Sequence, residues 1–357
     1  MRKLCFLMLF SVPGLFVGTP LAEAIDWVLV GHPFNPPHPE SGVGSVEYEF
    51  FISRYETTVA QFVEFLNSVD PQGHEALGLF DAEVNLHLVG FPAILFDDTL
   101  PVGGKYVAKP YFANKPMFKV RIQNAMRFCN WLHHDKNPAN VESGAYDLSN
   151  GVPSSRSPGA RFYLPTRDEW MKAAYYHPAV DSGPDDSWWD YATRSDEAPD
   201  YAIANGAGNV LNPGQNTVNY DERFNWGGTT VGQVSTVGGC GASSYFGTFD
   251  QSGNVMEWTE TRFPTGEFYL LGGNFRQNAI NITAPGYAIG PPSGAPVRTE
   301  GFRLATSRAY SADMNGDGVA DSLDVQTYVD CVVTGGDECP CGVASFVSAI
   351  LSGNDCQ

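Results

Sequence analysis

Basic residues are scarce in this chain. Its 357 residues include 21 Lys and Arg against 40 Asp and Glu, a formal net charge of −19. That balance argues against a nucleic-acid partner, because phosphate backbones are bound through basic patches. Long apolar runs are equally scarce. The only one, Leu4 to Gly18, follows the basic start Met1, Arg2 and Lys3 and precedes Ala22-Glu23-Ala24. Interrupted by Ser11, Pro13 and Gly14, it is short for a membrane span of roughly 20 residues and has the layout of a secretory leader cut after Ala24. The expected product is a soluble protein, secreted, periplasmic or at the cell surface, with no membrane span left.

Two further shortages concern pattern and thiols. From residue 177 to 306 there is almost no helical periodicity, and no cysteine occurs between 241 and 330. A long stretch without regular structure is either disordered or a loop-rich fold. The chain is 13% aromatic with 38 Gly and 25 Pro, which favours loops packed on aromatic rings.

Three helices are nonetheless legible. Thr57 or Thr58 can cap a helix whose buried face is Val59, Phe62 and Leu66. A second runs from about Val120 to His134, burying Ile122, Ala125, Cys129 and Leu132. A third starts at Thr166, where Thr166 and Glu169 form a capping box ahead of Trp170, Ala173 and Ala174. Short strands and turns are expected over 25–55.

Six segments then occur in a telling order: Ser53-Arg54-Tyr55-Glu56-Thr57-Thr58, Phe128-Cys129-Asn130-Trp131-Leu132, Arg161 to Trp170, Phe249 to Trp258, Leu271-Gly272-Gly273-Asn274-Phe275, and Gly301-Phe302-Arg303-Leu304-Ala305. Together they resemble the formylglycine-generating enzyme, or sulfatase-modifying factor, family over about residues 27–306. The resemblance implies an α+β, loop-rich, C-type-lectin-like fold. It divides the chain into a leader (1–24), a family domain (25–306) and a tail (307–357). Within the motifs, Trp170 and Trp258 are expected to be core aromatics.

The resemblance also implies calcium. Carried over by position, Asp250, Gly253, Val255 and Glu257 would form one site, with carboxylate and carbonyl oxygens from a single short loop. A second would use Asn219, the carbonyl of Tyr220 and a ligand near Asn225.

The family's enzymes oxidise a substrate cysteine to formylglycine through two cysteines that bind Cu(I), a metal suited to soft thiolates. Here those positions are Gln277 and Ile282. Copper-dependent oxidation is therefore not expected, and no catalytic residue is assigned. A related branch holds iron with spaced histidines, but His133 and His134 are adjacent and diverge on a helix. The favoured function is a non-catalytic, calcium-stabilised extracellular module with a protein or carbohydrate ligand. The alternative is an active sulfatase-modifying oxidoreductase acting on a protein cysteine through other residues.

The tail has its own character. Asp313, Asn315, Asp317, Val319, Asp321 and Asp324 stand at the ligand positions of an EF-hand loop, with Gly318 at the sharp turn. Asp in the last place resembles dockerin-type loops, so a docking partner for the tail is one expectation. Cys331, Cys339, Cys341 and Cys356 crowd the same segment and can pair in an oxidising compartment, with connectivity left open.

Overall fold

Each helix of the computed structural model starts for a local reason. The structure describes residues 25–80, 93–151, 153–284, 286–290 and 299–306. Helix α1 (Val59–Val69) begins at a capping box in which Thr58 accepts from the Gln61 N–H and Gln61 accepts from the Thr58 N–H. Its buried face is Val59, Phe62, Val63, Phe65 and Leu66. Helix α2 (Ile122–His133) has no side-chain cap and starts two residues later than the apolar period suggests. Lys119 lies in the left-handed region with φ 59, and the Val120 N–H is spent on Glu300 O, so the chain is still turning there. Helix α3 (Arg167–Tyr175) carries the expected capping box of Thr166 and Glu169.

The strands are short and, among the described residues, fall into four small sheets. β1 (Trp27–Val30) and β2 (Phe50–Ser53) pair antiparallel, and β11 (Ala305–Thr306) joins the far edge of β2. β3 (Ile94–Phe96) pairs with β4 (Tyr106–Ala108), and β5 (Asp200–Tyr201) with β6 (Thr217–Val218). The largest sheet has the order β10-β7-β8-β9, from β7 (Met256–Arg262), β8 (Phe268–Leu271), β9 (Tyr287–Gly290) and β10 (Glu300–Gly301). The result is an α+β, loop-rich architecture with three α-helices among the described residues.

Aromatic rings do much of the packing between these pieces. Phe62 and Phe65 of α1 meet Phe128 and Trp131 of α2 at centroid distances of 5.4 to 6.1 Å, and Phe302 closes the cluster 5.5 Å from Phe128. Offset and edge contacts at such distances add to the burial of the rings themselves. Trp170 and Trp258 are wholly buried, as expected of core aromatics. Cys129 and Cys240 are free, buried thiols. No helix among the described residues is long and apolar enough to cross a membrane. The acidic loop from Asp313 to Asp324 and the four tail cysteines lie outside the described residues.

Candidate functional site

Four of the six motifs converge on one buried charge pair. Glu257 on β7 and Arg303 in the closing Gly-Phe-Arg segment are both fully buried. Arg303 Nε donates to Glu257 Oε2 at 2.6 Å and Nη2 donates to Oε1 at 2.7 Å, a bidentate pair. The remaining donors go to the carbonyls of Ser53, Arg54 and Phe249 at 2.7 to 3.2 Å. All five N–H groups of the guanidinium are thus used. Trp170 Nε1 adds a third donor to Glu257, 2.7 Å from Oε2. The first, third, fourth and sixth motifs meet here and complete one another's hydrogen bonds.

Asn254 organises the polar layer next to this pair. Its φ is 52, in the left-handed region that Asn tolerates. Its Oδ1 accepts from Ser235 N at 2.9 Å and from Asn219 Nδ2 at 3.2 Å, and its Nδ2 donates to Glu56 Oε2 at 3.1 Å. Gly253 has φ 89, and a Cβ there would sit 2.4 Å from Asn219 O. Only glycine fits both the angle and the approach.

The carried-over calcium ligands divide into two sets. Asp250, Gly253, Val255 and Glu257 do share one turn. Asp250 Oδ2 accepts from Gly238 N at 2.5 Å, and burial pushes its carboxyl up to about 6. Glu257, however, spends its charge on Arg303, leaving only one lone pair, on Oε1, for any cation. The first set therefore fits calcium poorly at Glu257. The second set fits better at Asn219, whose Oδ1 is buried without a hydrogen-bond partner while its Nδ2 is fixed on Gln233 O at 2.9 Å. An orphaned amide oxygen is the hard donor calcium takes. Tyr220 follows with its hydroxyl on Pro199 O and its ring stacked 4.6 Å from Tyr201. Asn225 uses its side chain to close its own turn, donating to Glu222 O and accepting from Gly232 N. Among the described residues no three His, Cys, Asp or Glu side chains are arranged to hold a metal, so calcium here would depend on amide and carbonyl oxygens.

At the two positions that the resemblance assigns to the family's cysteines, Ile282 is packed and Gln277 is hydrogen-bonded. Ile282 is fully buried in a cluster with Tyr191, Val218 and Tyr220, and Gly273 leaves room for it: a Cβ on Gly273 would lie 2.6 Å from Ile282 Cγ2. Gln277 pairs through Oε1 with Asn274 Nδ2 at 3.2 Å, and its carbonyl accepts from Asp221 N at 2.8 Å. Burial raises both described thiols, Cys129 and Cys240, well above the usual range, and neither lies in the 274–282 segment. His133 and His134 form no ligand pair: His133 Nδ1 accepts from Arg161 N and His134 Nε2 meets Ser143 O.

Reading by motif alone passed over three residues, Arg303, Asn254 and Glu56, all lying in segments quoted as family signature. The signal for Glu56 was available in part. An acidic residue beside Thr57, at the start of an apolar helix face, was the least expected residue type at a buried position.

A domain of short sheets and three α-helices, closed by one guanidinium that ties its two ends together, defines the class. The family model described as the sulfatase-modifying factor enzyme 1-like domain matches residues 30–308, and the chain belongs to that family. Similar solved structures include "Crystal Structure of CarF", with 18% identity over 80% of this chain and 99% of that one at a TM-score of 0.45. Treponema denticola variable protein 1 has 16% identity over 80% and 95%, with a TM-score of 0.45. PvdO from Pseudomonas aeruginosa has 16% over 82% and 100%, with a TM-score of 0.41. No curated protein matches in sequence.

Proposed function

We propose that this chain is an exported, calcium-stabilised member of its family, with a C-type-lectin-like fold, that does not perform copper-dependent cysteine oxidation and serves as an extracellular binding or structural module. One observation carries the reading. Where the family resemblance puts two copper-binding thiolates, this chain has an amide, Gln277, and a fully buried Ile282 that packs against rings. Neither side chain is a soft ligand or a redox group. Asn219 Oδ1 supports the calcium part, since it is an unpartnered buried oxygen at a carried-over ligand position. Export, a protein or carbohydrate ligand, and a docking role for the EF-hand-like loop Asp313 to Asp324 enter on sequence alone.

The test is direct. Purified protein is incubated with Cu(I), oxygen and a cysteine-containing sulfatase-type peptide, and the product is read by mass. No conversion of Cys to formylglycine is expected. A product that depends on this protein would replace the proposal with the alternative, an oxidoreductase working through other residues.

A further inference from the structure

The turn after α1 brings two carboxyl groups onto one phenol. Asp70 is the C-cap of α1, whose last turn has no basic residue. A negative charge at a helix C-terminus is unfavourable, so donors must hold it there. Asp70 Oδ1 accepts from His74 N at 2.8 Å. Its Oδ2 accepts from Glu75 N at 3.1 Å and lies 2.6 Å from the Tyr106 hydroxyl on β4. Glu75 returns to that same hydroxyl. Its Oε1 is 2.7 Å away, while its Oε2 accepts from Phe80 N at 2.9 Å. Tyr106 itself is wholly buried and fixed. Asn67 holds both its N–H and its carbonyl, and its ring meets those of Phe80 and Phe96 at 5.5 and 5.2 Å.

A phenol has one proton to give, and an ionised carboxylate can only accept. With both carboxyl groups ionised, one of the two contacts would set lone pair against lone pair at hydrogen-bond distance. A second proton in the cluster removes that conflict. Burial and the two carboxylates push the Tyr106 phenol up, so it keeps its own proton. Burial opposes the Asp70 charge, but hydrogen bonds from Tyr106, Glu75 and His74 outweigh it and hold that carboxyl below its usual range. Burial, joined by the Asp70 charge, holds Glu75 above the usual range against hydrogen bonds from Tyr106 and Phe80. Oε1 of Glu75 is therefore the seat of the second proton. Among the described residues, the charge acting on Glu75 is Asp70, and His74 acts on Asp70 from the same turn. β3 contributes Phe96 and α2 contributes Asn124, which do not titrate.

We infer that Asp70, Tyr106 and Glu75 form a proton-operated clasp. With a proton on Oε1, Glu75 donates to the Tyr106 oxygen while Tyr106 donates to Asp70. Loss of that one proton to solvent loosens residues 71–80 from α1 and β4. The sign follows from linkage. A carboxyl held above its ordinary value binds its proton more tightly in the clasped state than in the open one. The clasp is at full strength below about 4.3, the ordinary glutamate value, and weakens as pH rises through the raised value of Glu75. Leu79 is buried in the core and Asn124 Nδ2 donates to Gly78 O at 2.9 Å, so base loosens the segment without unfolding the domain. The inference does not rest on the absence of oxidase activity.

The experiment uses the whole chain at constant calcium, from pH 4 to pH 9. Carbon NMR follows the side-chain carboxyls of Asp70 and Glu75. Amide exchange of His74, Glu75 and Phe80 is followed as protection factors, relative to the amides of α2. Glu75 is expected to titrate above the ordinary glutamate value and Asp70 below the ordinary aspartate value. Protection of the three amides should fall roughly tenfold across the Glu75 titration, the scale of one hydrogen bond to a charged group. Glu75→Gln carries a permanent N–H donor for Tyr106 and keeps an oxygen for Phe80 N, so it should hold its protection at every pH. The inference is overturned if Glu75 titrates at or below about 4.3, or if Asp70 is the group that keeps the proton. It is equally overturned if the three amides show no pH dependence or if folded E75Q retains it. Should E75Q fail to fold, the carboxyl titration and amide profile of the unaltered chain decide.

Discussion

Strand β7 carries two glutamates, Glu257 buried and Glu260 half-buried, that are held in opposite ways. Glu257, at its inner end, has Arg303 to itself: two hydrogen bonds at 2.6 and 2.7 Å, a third from Trp170, and every other guanidinium donor placed on a carbonyl. Glu260, at the outer end, shares its cation. Arg156 lies 3.3 Å from Glu260 and 3.6 Å from Glu169, and its Nη1 is buried without a hydrogen bond. The Tyr146 hydroxyl donates to Glu260 at 2.6 Å and partly makes up the difference. One end of the strand is a closed, matched pair. The other is a carboxylate-rich cluster short of positive charge. Matching of donors, and not burial as such, separates a structural ion pair from a titrating group.

The largest expected effect breaks the matched end. Arg303→Met leaves Glu257 buried without its cation and frees three carbonyls. Losing one partner of a buried pair costs about 3–5 kcal/mol. For a domain of this size that lowers the melting temperature by roughly 10 °C. Arg156→Met, tested beside it, should cost clearly less, because its two carboxylates are held more loosely and one can stay protonated. Equal losses in the two variants would remove the distinction drawn between the ends of β7.

Acid sharpens the contrast. Burial, only partly offset by Arg156 and Tyr146, pushes the Glu260 carboxyl up to about 7. An unfolded glutamate titrates near ~4.3. A group whose folded pKa is raised binds its proton more tightly in the native state. The resulting stabilisation is full below about 4.3, falls as pH rises between these values and is gone above about 7. Between pH 8 and pH 5.5 the chain should therefore gain stability from this group, with an upper bound of ~2 kcal/mol. Glu260→Gln should flatten that slope. A slope that survives the substitution would place the proton elsewhere.

Calcium tests the neighbouring layer. If Asn219 Oδ1 holds the ion, chelator should lower the melting temperature of the unaltered chain and leave Asn219→Ala unmoved. Ligand at a hundredfold excess over its Kd adds about 2.7 kcal/mol. Ordinary melting of N219A with an undiminished response to chelator would move the ion to the Asp250 turn or to the loop from Asp313 to Asp324.

How much of this was legible in the sequence depends on the range of the interaction. The capping boxes at Thr58 and Thr166 are complete within four residues, so their letters announce them. The apolar faces of α1 and α2 repeat every three or four residues and were read correctly. Arg303 was not, because its partners are Glu257, 46 positions away, and the carbonyls of Ser53 and Arg54, about 250 positions away. Backbone carbonyls leave no trace in side-chain pattern. The same holds for Glu56, whose side-chain partner among the described residues, Asn254, is 198 residues distant. Position within a family motif marked Glu257 as a metal ligand; its environment shows a carboxylate with its charge already matched.

The smallest effect concerns how the local and the distant meet at Glu169. This residue closes the α3 capping box by accepting from Thr166 N at 2.7 Å through Oε2, while its Oε1 accepts from the Tyr48 hydroxyl at 2.8 Å and faces Arg156. Thr166→Ala removes only the reciprocal bond to Glu169 N, so it should cost about 1 kcal/mol, the usual value of an N-cap. That is a fall of roughly 2–4 °C. If the cap also fixes Glu169 for Arg156, then Thr166→Ala and Arg156→Met should not add. Residues sharing a network couple by about 0.5 kcal/mol or more, whereas independent sites add within ~0.3–0.5 kcal/mol. A double-variant melt equal to the sum of the singles would show that the cap serves its helix alone. A smaller sum would show that a four-residue signal in the sequence helps to position the unmatched end of β7.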